Sequence, residues 1–293
     1  MIKQNTIITG KRAITRSFAK INLTLDVLGR RENGYHDIKM IMQTLSLFDL
    51  LIIDKTDGKI SVSTNLKYLP TTNKNIAYKA AEVFFERTGI RGGAKIMIHK
   101  NIPVAAGLAG GSGNCAATLV AVNMLYGCPM SDTELIALGA ELGADVPYCF
   151  TGGTQLAEGI GEKLTSLFPM PDAYVLLVKP PVSVSTGLIY EEIDSAPLTM
   201  RPDTEAVIDA IRIRDINGVA GNLCNVMESV TAKMHPMVGG IKQKLLLNGA
   251  LGAVMSGSGP TVFGLFDDFQ KAKASADSFS LQFRDVYLTR IQN

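Results

Sequence analysis

The sequence has no large excess of positive or negative charge. This balance limits the kinds of partner that the protein is expected to bind. It has 29 basic and 27 acidic residues, for a formal net charge of +2. Proteins that cover a large nucleic-acid surface carry a strong basic excess, so this balance argues against a nucleic-acid partner. A small anionic ligand needs only a local positive field, and the composition is compatible with such a ligand.

Clustered cysteines are also missing. The four cysteines lie far apart in the chain, at Cys115, Cys128, Cys149 and Cys224. There is no CxxC pair and no His/Cys cluster, so neither a zinc site nor a disulfide framework is predicted. Reduced thiols are typical of cytosolic proteins, and we therefore expect a cytoplasmic location.

Long apolar runs are absent too. No stretch approaches the roughly 20 apolar residues that a membrane-spanning helix requires, and the opening segment MIKQNTIITGKR lacks the apolar core of a signal peptide. We expect a soluble protein that does not enter a membrane.

The elements that are present predict an α+β fold. The length of 293 residues favours two domains, and the sequence shows no internal repeat or low-complexity tract. Alternating apolar residues predict a strand over 21–27, a hairpin around Asp57-Gly58 and a strand–turn–strand over 253–266. Helical spacing predicts helices over 75–87 and 222–232, and Ser131-Asp-Thr-Glu134 has the pattern of a capping box.

A glycine-rich stretch, PVAAGLAGGSGN, covers Pro103 to Asn114 and precedes an apolar helical pattern. A helix N-terminus attracts anions, and glycines allow a phosphate to approach its N–H groups closely. A turn that only lets the helix pack tightly is an almost equally good interpretation. A Walker A loop would need Lys and then Ser or Thr where Asn114 and Cys115 stand, and the GxxGxxG spacing differs from the GxGxxG of dinucleotide-binding folds.

Two charged residues stand among apolar neighbours. Asp145 follows a predicted helix in GADVP, where an acid is either a helix cap or a functional group. Lys20 lies within a predicted strand, where a lysine usually faces solvent; a buried lysine would need an acid or an anion as its partner. Residue Asn22 shares the face of Lys20, because side chains two apart in a strand point to the same side.

An aromatic pair follows the Asn33-Gly34 turn. Tyr35 and His36 could simply anchor the loop, or they could stack on a nucleobase and hydrogen-bond its edge. The sequence alone leaves both interpretations open.

The glycine stretch resembles the phosphate-loop motif of the GHMP small-molecule kinases. Three further blocks, SFAKINLTL, GRRENGYHDI and GADVPYCFTGGT, resemble the branch that phosphorylates 4-diphosphocytidyl-2-C-methyl-D-erythritol, and GSGPTVF resembles the glycine-rich C-terminal block of the superfamily, all in the same order. The resemblance covers nearly the whole chain. It implies a two-domain fold, with a ribosomal protein S5 domain 2-like N-terminal domain over 1–155 and a ferredoxin-like C-terminal domain over 156–293.

The same resemblance implies a chemistry and a set of site residues. The expected reaction is phosphorylation by ATP, with Mg²⁺, of an alcohol on the cytidine-diphosphate-linked substrate. Lys20 and Asp145 are the implied catalytic residues, with Asp145 as the base and Lys20 beside it. Substrate contacts are expected from Asn22, Tyr35, His36, Thr186 and Tyr190. The implied ATP-binding loop consists of Pro103, Val104, Ala105, Ala106, Gly107, Leu108, Ala109, Gly110, Gly111, Ser112 and Gly113.

One residue of the loop departs from the family pattern. Gly113 stands where these kinases usually have a second serine, so one hydroxyl contact to phosphate or metal is missing, and we assign no metal ligands. The alternatives are a sister kinase acting on homoserine or mevalonate, which have no base for Tyr35 and His36 to grip, and a non-catalytic nucleotide sensor. The sequence does not reveal the oligomeric state.

Overall fold

The computed structural model describes residues 2–195 and 200–293, in which strands and helices are interspersed. The first part of the chain contains β1 (Thr6–Thr9), β2 (Arg12–Arg30), β3 (His36–Thr56), β4 (Ser61–Thr64), α1 (Ile76–Thr88), β5 (Gly93–His99), α2 (Gly110–Leu125), α3 (Asp132–Leu142) and α4 (Val146–Thr151). The rest contains β6 (Thr154–Gly159), β7 (Lys163–Ser166), β8 (Tyr174–Lys179), α5 (Thr186–Ser195), α6 (Thr204–Arg212), α7 (Ile216–Gly221), β9 (Cys224–Asn225), α8 (Val226–Met234), α9 (Met237–Leu247), β10 (Gly252–Met255), β11 (Val262–Phe266), α10 (Phe269–Ser280) and β12 (Asp285–Arg290).

These elements form two compact units that interleave along the sequence. The first unit comprises Met1–Ala19, Leu47–Val104 and Ala109–Gly152, and the second comprises Lys20–Ser46, Ala105–Leu108 and Gly153–Asn293. The long strands β2 and β3 each contribute one part to each unit. The mixture of helices and sheets in both units confirms the predicted α+β class.

In the first unit, helices cover a sheet with the strand order β1-β2-β3-β5-β4. Helix α2 packs against α1, α3 and α4. Its side chains are buried on most sides, with Leu119 and Val122 fully inaccessible. A helix that is apolar all round needs such neighbours, and they hold the start of α2 in a fixed position.

The local signals at the helix ends of this unit are confirmed. The side chain of Asn75 accepts a hydrogen bond from the Ala77 N–H at the start of α1, and Gly89 ends that helix in the left-handed conformation at φ 65°. Ser131 and Glu134 form the predicted capping box at the start of α3. Both signals are local, which is why the sequence suffices to find them.

The predicted hairpin around Asp57-Gly58 is wrong. Strand β4 follows β3 in the sequence but pairs in parallel with β5, which lies between them, with Ser61 opposite Lys95. Strand β5 pairs antiparallel with β3, with Leu50 opposite His99. The chain turns at Asp57-Gly58. The apolar strand β5, however, occupies the position beside β3 that β4 would occupy in a hairpin.

The second unit contains a four-stranded antiparallel sheet with the order β10-β11-β8-β12. Along the chain these strands alternate with helices in the βαββαβ pattern of ferredoxin-like folds. Strands β10 and β11 form the predicted strand–turn–strand, with Met255 opposite Val262. The expected ferredoxin-like architecture is present.

The helix predicted over 222–232 begins later than predicted. Cys224 and Asn225 form β9, which pairs in parallel with Thr24 and Leu25 of β2. The Asn225 side chain then caps α8 by accepting a hydrogen bond from the Met227 N–H at 3.0 Å. A strand pairing with a distant part of the chain therefore takes the first residues of the predicted helix.

Candidate active site

The glycine-rich loop is held in a conformation that few residue types adopt. Ala105, Gly107 and Ala109 have positive φ values of 50°, 72° and 54°. For alanine this region costs roughly 1–2 kcal/mol per residue, so the surrounding structure must stabilise the loop. Ala106 and Leu108 provide part of this stability with buried side chains, while Pro103 and Val104 are half-buried.

Gly107 shows why one of these positions requires glycine. A Cβ built on Gly107 would overlap the backbone carbonyl oxygen of Ser256. The Ser256 hydroxyl donates a hydrogen bond to the Gly107 carbonyl at 2.9 Å. The loop and the turn after β10 are thus joined within the second unit at backbone-to-backbone distance.

The first turn of α2 supplies main-chain amides. The first N–H groups of a helix have no acceptor within the helix, and the helix dipole makes this end positive. Gly111 is exposed and Ser112 is half-buried there, so a phosphate group can reach the amides and the Ser112 hydroxyl. Cys115, in the same helix, is inert by contrast, because burial raises the pKa of its thiol to about 12.

Asp145 lies at the N-cap position of α4, and its side chain is half-buried. Among the described residues, its carboxylate makes no capping hydrogen bond to that helix. The sequence had left open whether this acid caps a helix or serves a function. Asp145 therefore does not cap this helix, and its catalytic role stays a prediction.

In the second unit, Lys20 and Asn22 form a buried polar pair on β2. Lys20 is only 4% exposed, and its Nζ donates to Oδ1 of Asn22 at 2.7 Å. The Lys20 backbone N–H donates to the Leu108 carbonyl at 3.1 Å, so the strand borders the glycine-rich loop. The solvent-facing interpretation of Lys20 is therefore wrong.

The turn between β10 and β11 lies beside this pair. A Cβ built on Gly257 would lie 3.6 Å from Oδ1 of Asn22, and the Ser258 hydroxyl lies 2.8 Å from that of Thr186. Asn225 holds the turn by donating to the carbonyls of Met255 and Gly257 at 2.7 and 2.8 Å. Thr186 and Asn22 therefore both lie close to this turn within the second unit.

The predicted aromatic pair is divided between two environments. Tyr35 is 60% exposed, whereas the His36 side chain is buried and stacks on Tyr190, with ring centroids 4.4 Å apart and an interplanar angle of 14°. The His36 Nε2 lies 2.8 Å from Oδ1 of Asp194. An ionised carboxylate only accepts hydrogen bonds, so Nε2 of His36 is the donor in this contact.

Sequence reasoning missed Asp194, Asn225 and Ser256. Asp194 could have been found from the sequence. It follows Tyr190 by four residues in α5, and residues with this spacing share a helix face. Asn225 and Ser256 act through backbone contacts with residues 30 and 149 positions away. No local pattern marks such contacts.

The described part of the chain contains neither a cluster of metal-binding side chains nor a membrane-spanning helix. In residues 2–195 and 200–293, no group of three or more His, Cys, Asp or Glu side chains could hold a metal ion by itself. Over the same residues, no helix is both long and apolar enough to cross a bilayer.

Comparisons with known proteins agree with the architecture. The sequence model of the GHMP kinases N terminal domain matches residues 75–153, and that of the GHMP kinases C terminal domain matches residues 204–285. The chain superposes on a crystal structure of 4-(cytidine 5'-diphospho)-2C-methyl-D-erythritol kinase with a TM-score of 0.82, at 30% identity, covering 96% of this chain and 99% of that one. A homoserine kinase from Cytophaga hutchinsonii shares the fold, with a TM-score of 0.73 at 20% identity over 94% of each chain.

Curated relatives narrow the assignment. A 4-diphosphocytidyl-2-C-methyl-D-erythritol kinase of Clostridium novyi (strain NT) is 46% identical over 275 residues, which cover 94% of this chain and 98% of that relative. An enzyme of the same name from Caldicellulosiruptor saccharolyticus is 48% identical over 277 residues, which cover 94% and 96% of the two chains. The chain is a small-molecule kinase of the GHMP type and belongs to the family of 4-diphosphocytidyl-2-C-methyl-D-erythritol kinases.

Proposed function

We propose that the protein transfers the γ-phosphoryl group of ATP to the 2-hydroxyl of 4-diphosphocytidyl-2-C-methyl-D-erythritol, a step in non-mevalonate isoprenoid precursor biosynthesis. The observation that carries the choice of acceptor is the contact of His36 with Tyr190 and Asp194. The buried imidazole of His36 stacks on a phenol ring, and Asp194 fixes the position of its proton. Such a group is suited to binding a nucleobase. Homoserine and mevalonate contain no base, so this cluster would have no use in either sister kinase.

The tautomer of His36 supports a preference for cytosine. We propose that the ring binds the base in its neutral form: with Nε2 donating to Asp194, Nδ1 would then accept from the exocyclic amino group of cytosine, which is a donor. Uracil has a carbonyl acceptor at that position, and two acceptors would face each other. We propose that the base also stacks on Tyr190 or Tyr35, while Thr186 and Asn22 contact the remainder of the acceptor.

Phosphoryl transfer needs held phosphates, a positioned hydroxyl and compensation of charge, and the family resemblance suggests how Lys20 and Asp145 would meet these needs. In the proposed reaction Asp145 accepts the proton of the attacking hydroxyl. The ammonium group of Lys20 offsets the negative charge that develops on the oxygen. Lys20 is oriented for this by its hydrogen bond to Asn22.

The triphosphate of ATP is assigned to the main-chain amides of Gly110, Gly111 and Ser112. Glycine at two of these positions leaves the amides open, and the Ser112 hydroxyl adds a donor. Mg²⁺ usually takes only one or two protein carboxylates, with phosphate and water oxygens completing its shell, so the phosphates of ATP would supply much of its coordination. When bound, this ion would offset charge on the phosphates.

ADP release with a panel of acceptors tests the function. We expect turnover with 4-diphosphocytidyl-2-C-methyl-D-erythritol and none above background with homoserine or mevalonate. The same acceptor with uracil in place of cytosine should have a kcat/KM lower by about tenfold or more, since a mispaired acceptor costs about 1–3 kcal/mol. Comparable turnover of homoserine or mevalonate would overturn the proposal, and ATP binding without turnover of any acceptor would favour the sensor.

A further inference from the structure

Gly113 is the residue at which the loop departs from the family pattern. It lies against Ser17, and this neighbour explains the departure. Gly113 is buried in the first turn of α2, and its N–H donates to the Ala109 carbonyl at 2.8 Å. A Cβ built on Gly113 would overlap the hydroxyl oxygen of Ser17 on β2. The Ser17 hydroxyl therefore occupies the space that a side chain at position 113 would take.

This hydroxyl is one of three buried side-chain polar atoms that lack a hydrogen-bond partner within the described residues. Ser17 is 0% exposed, and within the described ranges its Oγ has no hydrogen-bond partner. An unpaired buried polar group is costly, and native structures keep few of them without a purpose. Thr15, two residues earlier on the same strand, provides the contrast, since its hydroxyl is paired with that of Thr6 at 2.9 Å.

The unpaired hydroxyl points at the anion-attracting end of α2. Small residues and main-chain amides make this turn suitable for phosphate, and a hydroxyl beside it adds a donor of the kind that phosphate oxygens accept. The first turn of α2 and Ser17 lie in the same compact unit. Two independent features, the helix start and the unpaired donor, thus converge at Gly113.

We propose that the Ser17 hydroxyl donates a hydrogen bond to a phosphate oxygen of ATP, in place of the side chain that Gly113 lacks. The proposal rests on the nucleotide site assigned above. It makes Ser17 and Gly113 a coupled pair, because the hydroxyl needs the gap that glycine leaves. A serine at position 113 is excluded only while Ser17 keeps its hydroxyl: the Ser17 Cβ lies 3.7 Å from the built Cβ and the Phe18 carbonyl 3.5 Å, both ordinary contacts.

A hydroxyl exchange between the two positions tests the proposal. Binding of ATP and of adenosine, which has no phosphate, is measured together with thermal stability for Ser17→Ala, Gly113→Ser and the double variant. We expect Ser17→Ala to weaken ATP binding by about tenfold or more, as for a lost hydrogen bond to a charged group. Its adenosine affinity and melting temperature should not fall. Gly113→Ser alone should lower stability, and the double variant should regain ATP affinity to within about threefold of the native protein.

Thr15→Val is the matched control, since it removes a paired hydroxyl from the same strand. It should lower the melting temperature and leave ATP affinity unchanged. Unchanged ATP affinity in Ser17→Ala would overturn the proposal, as would an equal loss of adenosine affinity. Native protein that neither binds ATP nor releases ADP would instead refute the proposed function, so the two failures are distinguishable.

Discussion

The start of α2 and the cluster around His36 are proposed to contact their ligands by different means. At α2, the proposed phosphate contacts are backbone amides. The glycines contribute by having no side chain that would keep the phosphate away from these amides. Around His36, the proposed contacts with the base come from side chains, a stacked ring and an imidazole whose proton is fixed by Asp194. The first arrangement follows from a continuous stretch of sequence, whereas the second requires residues from β3 and α5 to meet.

This difference predicts different responses to mutation. Small side chains added to the loop should harm nucleotide binding or folding, and shortened side chains in the cluster should harm acceptor binding alone. Lys20 and Asp145, the proposed catalytic residues, should show the largest effects.

The largest effect is expected for Asp145→Asn and Lys20→Met. Each should lower kcat by about 10²–10⁴-fold, the usual contribution of a positioned acid or base, and leave the circular dichroism spectrum and melting temperature near native values. Because groups that act as one unit are not additive, the double variant should be little slower than the slower single variant. Asp132→Asn, at an exposed ion pair with Lys3, is the control. Near-native kcat in either single variant would remove that residue from the mechanism.

The next two predictions distinguish a glycine that folding requires from a glycine that nucleotide binding requires. Gly107→Ala should destabilise the protein by about 2 kcal/mol or more, because it combines positive φ with overlap of the Ser256 carbonyl. Ala105 and Ala109 already occupy positive φ, so we expect the overlap to account for most of the lost stability at position 107. Thermal unfolding of the variant measures this loss.

Gly111→Ala is the comparison within the loop. Its nearest neighbour would be Ile76 Cγ2 at 3.8 Å, and alanine is favoured over glycine in helices by roughly 0.5–1 kcal/mol. This variant should be at least as stable as the native protein and yet bind ATP more weakly, as calorimetry would show. Native ATP affinity in a stable Gly111→Ala protein would contradict the backbone assignment.

A smaller effect is expected in the cluster. Tyr190→Ala should raise the KM for the cytidylylated acceptor by about tenfold, because an aromatic–base stack is worth about 1–3 kcal/mol, with the KM for ATP unchanged. Tyr190→Phe keeps the ring and should behave as the native enzyme does. If both variants raise the two KM values alike, the ring has a structural role and the division between the two regions fails.

The smallest effect concerns Asp194. Asp194→Asn removes the charge that fixes the His36 proton, so the KM for the acceptor should rise by a few-fold and the preference for cytosine over uracil should shrink. Asp209→Asn, which breaks an exposed ion pair with Arg212 in α6, is the matched control. An unchanged base preference in Asp194→Asn would show that the tautomer of His36 does not determine recognition.

The sequence could predict what depends on local rules. Asn75 and Gly89 bound α1, Ser131 and Glu134 cap α3, and the glycine stretch leads into α2, each through contacts within a few residues. The motifs also identified the family, since five blocks in order are far more specific than any one of them.

What the sequence could not predict depends on distant neighbours. Asp57-Gly58 is a good hairpin signal, yet β5 pairs with β3 and displaces β4 to the edge. Gly107 looks like any loop glycine until the Ser256 carbonyl lies against it. A buried Ser17 that lacks a hydrogen-bond partner among the described residues cannot be recognised from the alternation of a strand, because its position beside Gly113 depends on the fold.

The most direct measurement of the central claim is phosphorus NMR of a reaction containing ATP and 4-diphosphocytidyl-2-C-methyl-D-erythritol. The account predicts one equivalent of ADP for each new phosphomonoester on the acceptor 2-hydroxyl, and at least about 100-fold slower formation of both products with Asp145→Asn. ADP accompanied by free phosphate, without a new ester, or an ester formed equally well by Asp145→Asn, would contradict it.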